Sequence, residues 1–392
     1  MTPVLRRATA EDLPAVSAVD GRAFGYQHTP EDIEAVAKLW EPERFLLACD
    51  GEEIVGVAGS WDMTLTLPGG APLPSPGVTW VAVAATHRRR GILRSLMTEL
   101  HRGYLDDGLA VSMLTASEGT IYGRFGYGPA TVERFARIER RRAVMRADVP
   151  DPGGVRYTDT DGARRHAAEV HRRWCRVQPG AVSRSEQWWD DLLLDPEWRR
   201  HGASPLFHLT HPDGYVSYRI NQDDGTCRIR DFFAATGDAH VALWRLLLGL
   251  DLVETITVDD LALDDPLPFL LTDPRQVRTT GMPDGLWVRV LDVPAALSAR
   301  RYAVETDVVL EVHDPFLDRG GRFRLRGGPD GATCEPTGAT ADVDVEIRAL
   351  GSMLLGGHRA STLARAALVT GAVGRIDAAF TAEREPRFAT HF

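Results

Sequence analysis

The chain has 392 residues, 44% of them hydrophobic and 26% charged, which excludes a mainly disordered chain and leaves room for two or three domains. A formal charge of -10 makes it a poor general binder of nucleic acid, whose backbone demands positive charge. The same charge suits a cationic small molecule if the acids converge on a cleft.

Residues 4–8 read as a strand, and 11–24 and 30–40 as helices. Asp12 stands before Leu13, Val16 and Val19, whose spacing puts them on one helical face. Residues 45–49 form a strand, Asp50-Gly51 a turn, and 54–67 a long strand. The Pro- and Gly-rich stretch 68–77 is a loop and 78–84 a strand. A basic turn at 87–91 then leads into a helix striped by Ile92, Leu93, Leu96, Met97, Leu100 and Leu105. Strand 111–114, a short helix at 118–125 and a closing strand at 131–137 complete a first unit.

Residues 147–162, with their prolines, glycines and aspartates, suit a linker. A helix follows at 161–176. Ser183 and Glu186 form a capping box for the helix bearing Trp188 and Trp189. Residues 206–211, 215–221 and 226–233 make an antiparallel meander, turned by Pro212-Asp213-Gly214 and Asp223-Asp224-Gly225. Helix 238–249 and strand 252–258 follow, and this order partly echoes the first unit as a degenerate repeat. From Asp284 a third unit alternates strands (286–291, 307–312, 322–326, 343–347) with helices (293–301, 348–354, 359–368), and a terminal helix begins at 376–380. The fold class is therefore α/β and α+β, in units 1–146, 147–283 and 284–392.

The first twelve residues are mixed and charged, without an apolar leader. The most apolar helical stretch, 241–250, contains Arg245 and is too short to span a bilayer, so no membrane partner is expected. Cys49, Cys175, Cys227 and Cys334 lie far apart, with no CxxC pair or close Cys/His cluster. Neither a disulfide framework nor a metal site is expected, and the cytoplasm is the default compartment.

The stretch that carries chemistry is the strand ending Val81-Ala82-Val83, the turn His87-Arg88-Arg89-Arg90-Gly91 and the helix that opens at Ile92. A tight turn at a helix start points backbone N–H groups into one concavity at the positive end of the helix dipole, which fits a diphosphate. The arginines add charge-assisted bonds, and Gly91 permits close backbone approach. The alternative is a solvated basic run on a surface turn. Further on, Ser117 to Tyr127 sets Tyr122 and Phe125 on one side of a short helix. Tyr122 is either a proton donor or a packing tyrosine.

Together these segments resemble the GCN5-related N-acetyltransferases and, more closely, the enhanced-intracellular-survival (Eis) acetyltransferases of actinobacteria. The matching residues are Val81-Ala82-Val83, Thr86 to Gly91, and Ala116-Ser117-Glu118 through Gly128-Pro129-Ala130-Thr131. Later ones are His211 to Tyr215, Asp265 to Pro268, Leu270 to Asp273, Asp284 to Trp287, Pro294 to Leu297 and Gly356 to Leu363, so the likeness covers essentially the whole chain. Leu93 stands where the wider acetyltransferase pattern has Gly or Ala, a departure that Eis-like proteins share.

The resemblance implies two acetyltransferase-type domains, the second degenerate, and a sterol-carrier-like third domain, assembled as a homohexamer. It implies acetyl-CoA as co-substrate. Val81, Ala82, Val83, Arg88, Arg89, Arg90, Gly91, Ile92 and Ser117 would hold it, with the Val83 N–H as an oxyanion donor. Tyr122 would be the general acid, since a tyrosine keeps its proton at neutral pH. The base would be the free carboxylate of the terminal residue, Phe392. An α-carboxylate, with a pKa of about 3.5, needs burial or a bridging water for that role. His391 neighbours it where a well-known member carries an acid, and Thr115 stands where that member has a histidine. Asp20, Phe24, Trp40, Thr115, Glu118 and His391 are the candidate acceptor contacts. The implied acceptor is a primary amine of a polycationic molecule such as an aminoglycoside. Protein-lysine or polyamine acetylation is one alternative, and lipid or sterol binding is another.

Overall fold

The computed structural model describes residues 3–392; Met1 and Thr2, the start of the stretch read as lacking an apolar leader, lie outside it. Two seven-stranded sheets and a five-stranded sheet organise the described residues, with a small hairpin beside them. Among the described residues no helix is long and apolar enough to cross a membrane.

The first sheet runs Val4–Arg7, Phe45–Asp50, Glu53–Trp61, Gly77–Val83, Val111–Thr115, Leu286–Val290 and Gly128–Pro129. Its one parallel pair is Gly77–Val83 beside Val111–Thr115, because the helix Ile92–Asp106 carries the chain back across one face. That helix buries Ile92, Leu96, Met97, Leu100 and Tyr104 against Leu46, Ala48 and Val55. Tyr104, not Leu105, completes the stripe. The helix Leu13–Phe24 packs Val16 and Val19 on the opposite face, against Phe45, Leu47 and Val57. Successive residues of one strand thus serve two layers.

The second sheet runs Arg156–Thr158, Phe207–His211, Gly214–Asn221, Thr226–Ala234, Thr255–Val258, Phe135–Glu139 and Val277–Gly281. It repeats the first in topology, with antiparallel strands, one parallel pair bridged by the helix Gly237–Leu248, then antiparallel strands again. The repeat expected from element order is therefore present.

Each sheet takes in a strand expected elsewhere. The stretch read as closing the first unit is Phe135–Glu139 and lies inside the second sheet. The stretch read as opening the third unit is Leu286–Val290 and lies inside the first, beside Val111–Thr115. Units 1–146, 147–283 and 284–392 therefore do not coincide with the sheets. Both strands are short apolar runs, and which open edge each one joins is decided by tertiary reach.

The third sheet runs Gly331–Pro336, Gly321–Gly328, Thr306–His313, Val343–Glu346 and Val369–Gly371. The helix Ile347–Leu354 is buried along almost its whole length and packs on Leu286–Val290. Arg289 of that strand meets Asp314 of the third domain at 2.6 Å, with both side chains buried. A buried pair of this kind fixes registry between domains more than it adds net stability.

Four local expectations change. Stretch 54–67 breaks into Glu53–Trp61 and Thr64–Thr66, which pairs with Pro72–Pro74 inside the expected loop. The expected linker already holds the strand Arg156–Thr158 and the start of the helix Thr160–Cys175. Ser185, not Ser183, caps the helix Glu186–Leu193 by accepting the Trp188 N–H at 3.2 Å, while Ser183 accepts the N–H of Thr64 at 2.9 Å. The terminal helix is a single turn, Gly374–Asp377, and 381–392 have no regular secondary structure.

Candidate active site

The strand Gly77–Val83 carries a bulge. Val57 faces Ala82 and Gly59 faces Thr79, so Ala58 stands opposite both Trp80 and Val81. Trp80 has a left-handed φ of 52°, a conformation rare for a bulky side chain and concentrated at functional positions. The strand pairs with its parallel neighbour only at Gly77–Met113 and Val78–Leu114. Beyond these residues the two strands part. Ala84 donates its N–H to Val55 across the other edge at 2.9 Å. Strand alternation then turns the Val83 N–H toward the open edge.

The basic turn closes one end of this opening. Gly91 caps the helix Ile92–Asp106 with a φ of 80°, which a side chain would resist. Ser95 is the first residue to bond back to the Gly91 carbonyl, so the amides of Ile92, Leu93 and Arg94 have no partner in the helix. Arg88, Arg89 and Arg90 are exposed and make no ion pair among the described residues. A cleft of about 810 Å³ follows the open edge, bordered by Val81, Ala82, Val83, Arg88, Arg89, Gly91, Ile92, Ser117 and Tyr122. Of the expected cofactor set only Arg90 is outside this lining. An extended edge with free amides, ending in unpaired cations, fits a thin thioester arm joined to a diphosphate.

Tyr122 opens a short 3-10 turn, Tyr122–Phe125, to which the expected helix 118–125 shrinks. Its ring is buried, and burial pushes the hydroxyl up to about 12, so it keeps its proton at neutral pH. The chain end arrives from the other side. Phe392 lays its ring over Gly77, where a β-carbon would come within 2.7 Å of it. Thr115 Oγ1 donates to the terminal carbonyl oxygen of Phe392 at 3.4 Å. Thr115 and Phe392, 277 residues apart in sequence, thus meet where the parallel pair splays. His391 is exposed, with Nδ1 3.6 Å from Glu133 Oε1. Burial and the carboxylates of Asp260, Asp259 and Asp284 push Glu133 up to about 7.

An aromatic wall lies beside the bulge. His28 stacks on Trp80 with ring centres 5.6 Å apart. Behind it the buried Asp20 accepts the Tyr26 hydroxyl and faces His28 Nε2 at 3.4 Å. Trp40 packs on Phe45 at 4.1 Å and joins the core, so it backs the wall rather than forming its open face. Phe24 and Glu118, expected at the acceptor, border the cofactor cleft instead. Tyr26, His28, Trp80 and Glu133 escaped the sequence reading. Trp80 had a signal, an aromatic immediately before Val81-Ala82-Val83; the others are gathered only by folding.

A bulged strand with free amides, a splayed parallel pair and an Arg-x-x-Gly turn at a helix start define a GCN5-related acetyltransferase. Family models agree: an acetyltransferase (GNAT) domain matches residues 4–130, another acetyltransferase (GNAT) domain 180–290, and a sterol carrier protein domain 293–389. Over 408 aligned positions the chain is 42% identical to the N-acetyltransferase Eis of Mycobacterium tuberculosis (strain ATCC 25177 / H37Ra), covering 100% of each. An uncharacterized N-acetyltransferase of Streptomyces coelicolor is 38% identical over 379 residues, covering 91% of this chain and 88% of the relative. The crystal structure of Eis1 from Mycobacterium abscessus superposes with a TM-score of 0.90 at 35% identity, covering 99% of this chain and 100% of its own. The chain belongs to the Eis family of N-acetyltransferases. A GCN5-related N-acetyltransferase from Kribbella flavida, at 24% identity and a TM-score of 0.81 over 99% of this chain and 100% of its own, shares the fold.

Proposed function

We propose that the protein transfers acetyl from acetyl-CoA to primary amines of polycationic small molecules such as aminoglycosides, at several positions of one acceptor. The observation that carries this reading is that Val83 and Tyr122 line one cleft along a splayed strand pair, while Phe392 reaches Gly77 and Thr115 of the same two strands, beside an aromatic wall backed by Asp20. Acetyl-CoA supplies the activated acyl group as a thioester. Arg88, Arg89 and the amides at the start of Ile92–Asp106 hold its diphosphate. The Val83 N–H donates to the thioester oxygen as charge develops there. The Phe392 carboxylate takes the proton of the incoming ammonium, directly or through a water, and Tyr122 gives its proton to the departing sulfur. Ser117 orients the arm of the co-substrate. The net charge of -10 draws in a polycation.

Lipid binding is the weaker reading. A second cavity of about 880 Å³ between the first and third domains is bordered by Arg124, Glu311, Asp314, Glu346 and Arg348 as well as Val312, Phe316 and Ile347, a mixed lining whose charges do not single out an acyl chain. A thiol-release assay with acetyl-CoA over aminoglycosides, polyamines and lysine peptides tests the proposal. Turnover should be highest on aminoglycosides, with more than one thiol released per acceptor. Selective turnover of lysine peptides would replace this acceptor class with protein lysine.

A further inference from the structure

The last residues are held far more firmly than a chain end normally is. Residues 386–390 are all buried, although they belong to no helix or strand. Their partners lie in the second domain. Arg184, with its side chain 2% exposed, grips Asp231 through two bonds of 3.1 and 3.0 Å. The same guanidinium donates to Thr390 Oγ1 at 3.1 Å and to the Ala389 carbonyl. Trp189 and Phe233 flank it at 4.7 and 4.9 Å. Thr390 also donates to the Val182 carbonyl at 3.3 Å. One step back, Arg387 reaches Asp260 Oδ2 at 2.8 Å and the Phe232 carbonyl at 3.1 Å.

We infer that the second domain, where Ala235-Thr236-Gly237 rather than an Arg-x-x-Gly turn joins the strand Thr226–Ala234 to the helix Gly237–Leu248, serves as the fixture for the chain end, with Arg184 as the positioning residue that sets where the Phe392 carboxylate lies. The inference rests on the proposed role of that carboxylate. Two residues separate the grip at Thr390 from the terminus, and each spans at most about 3.3–3.6 Å. The grip therefore limits the carboxylate to a short arc around Thr115. No bond of the grip reaches Val83, Tyr122 or the arginine turn. Loosening it should misplace the carboxylate and leave the acetyl-CoA cleft intact.

The test uses full-length, untagged protein. Thr390→Val deletes the hydroxyl that Arg184 holds but keeps the shape and the Arg184–Asp231 pair; Arg184→Gln removes the grip itself. Turnover, KM for acetyl-CoA, melting temperature and the rate at which a carboxypeptidase releases phenylalanine are measured for each. Thr390→Val should release Phe392 faster and lower kcat by about tenfold to a hundredfold, at unchanged KM for acetyl-CoA and near-normal melting. Should Arg184→Gln fail to fold, Thr390→Val alone decides. Unchanged kcat in Thr390→Val overturns the inference, as does a loss of kcat with the terminus still protected, which would mark a purely structural grip. A chain lacking Phe392 that turns over normally defeats the carboxylate's role, and the fixture's with it. A chain that needs Phe392 but tolerates a loosened grip defeats the fixture alone.

Discussion

Tyr122 and Glu133 show how burial sets chemistry one side chain at a time. Removing only the hydroxyl, as in Tyr122→Phe, should cut turnover by roughly 10²–10⁴-fold while acetyl-CoA affinity stays level. Steady-state kinetics alongside calorimetry checks both parts. Since burial holds the hydroxyl at about 12, the rate should not fall through Tyr122 ionisation anywhere near neutral pH. Glu133 carries the opposite lesson. Its carboxyl is raised to about 7 by burial and three nearby carboxylates, so in the pH range above its unfolded value of 4.5 the folded state binds the extra proton. Its contribution to stability is complete at low pH and is lost as pH rises through that window. Glu133→Gln should therefore leave the melting temperature almost unchanged at pH 5 and raise it at pH 8. A gain confined to pH 5 would reverse the sign of the argument.

The turn between Gly77–Val83 and Ile92–Asp106 is the element on which the proposed binding of acetyl-CoA rests. Arg88→Ala or Arg89→Ala should weaken acetyl-CoA binding by about 1.5–3 kcal/mol each, the worth of a charge-assisted bond, as calorimetry would measure. Unchanged affinity in both would remove the diphosphate from this turn. This element was legible in the sequence because its determinants are local: an apolar strand, a run of arginines, one glycine and a stripe at helical spacing. The open strand edge was not legible, since it depends on a bulge and on where a parallel pair stops. The wall of His28, Trp80 and Asp20 was only partly legible, because a helix, the loop after it and a strand must meet to build it. The terminus was legible by family likeness alone; nothing in Arg387 to Phe392 says that Arg184 and Asp260 await it.

Across the whole molecule, the family likeness leads us to propose a homohexamer. Analytical ultracentrifugation should find one species near six times the chain mass, and a monomer at micromolar concentration would contradict it. The two exchanged strands make a sharper prediction. Residues 1–146 expressed alone lack Leu286–Val290, the strand that covers the edge of Val111–Thr115 in the first sheet. Such a fragment should be aggregation-prone, with little cooperative melting, although it contains every proposed cofactor contact. A soluble fragment with a sharp thermal transition would show that the borrowed strand is dispensable.

That exchange also sets the order of events during synthesis. The first sheet cannot be finished until Leu286–Val290 leaves the ribosome, long after the arginine turn has emerged. Until then an unpaired strand edge waits in the nascent chain, at the risk of pairing with a neighbour. The second sheet receives Phe135–Glu139 early but waits for Val277–Gly281, which emerges just ahead of Leu286–Val290. The two sheets can therefore close only at nearly the same point of synthesis. The two acetyltransferase-type domains would mature as one unit, late in synthesis, rather than one after the other.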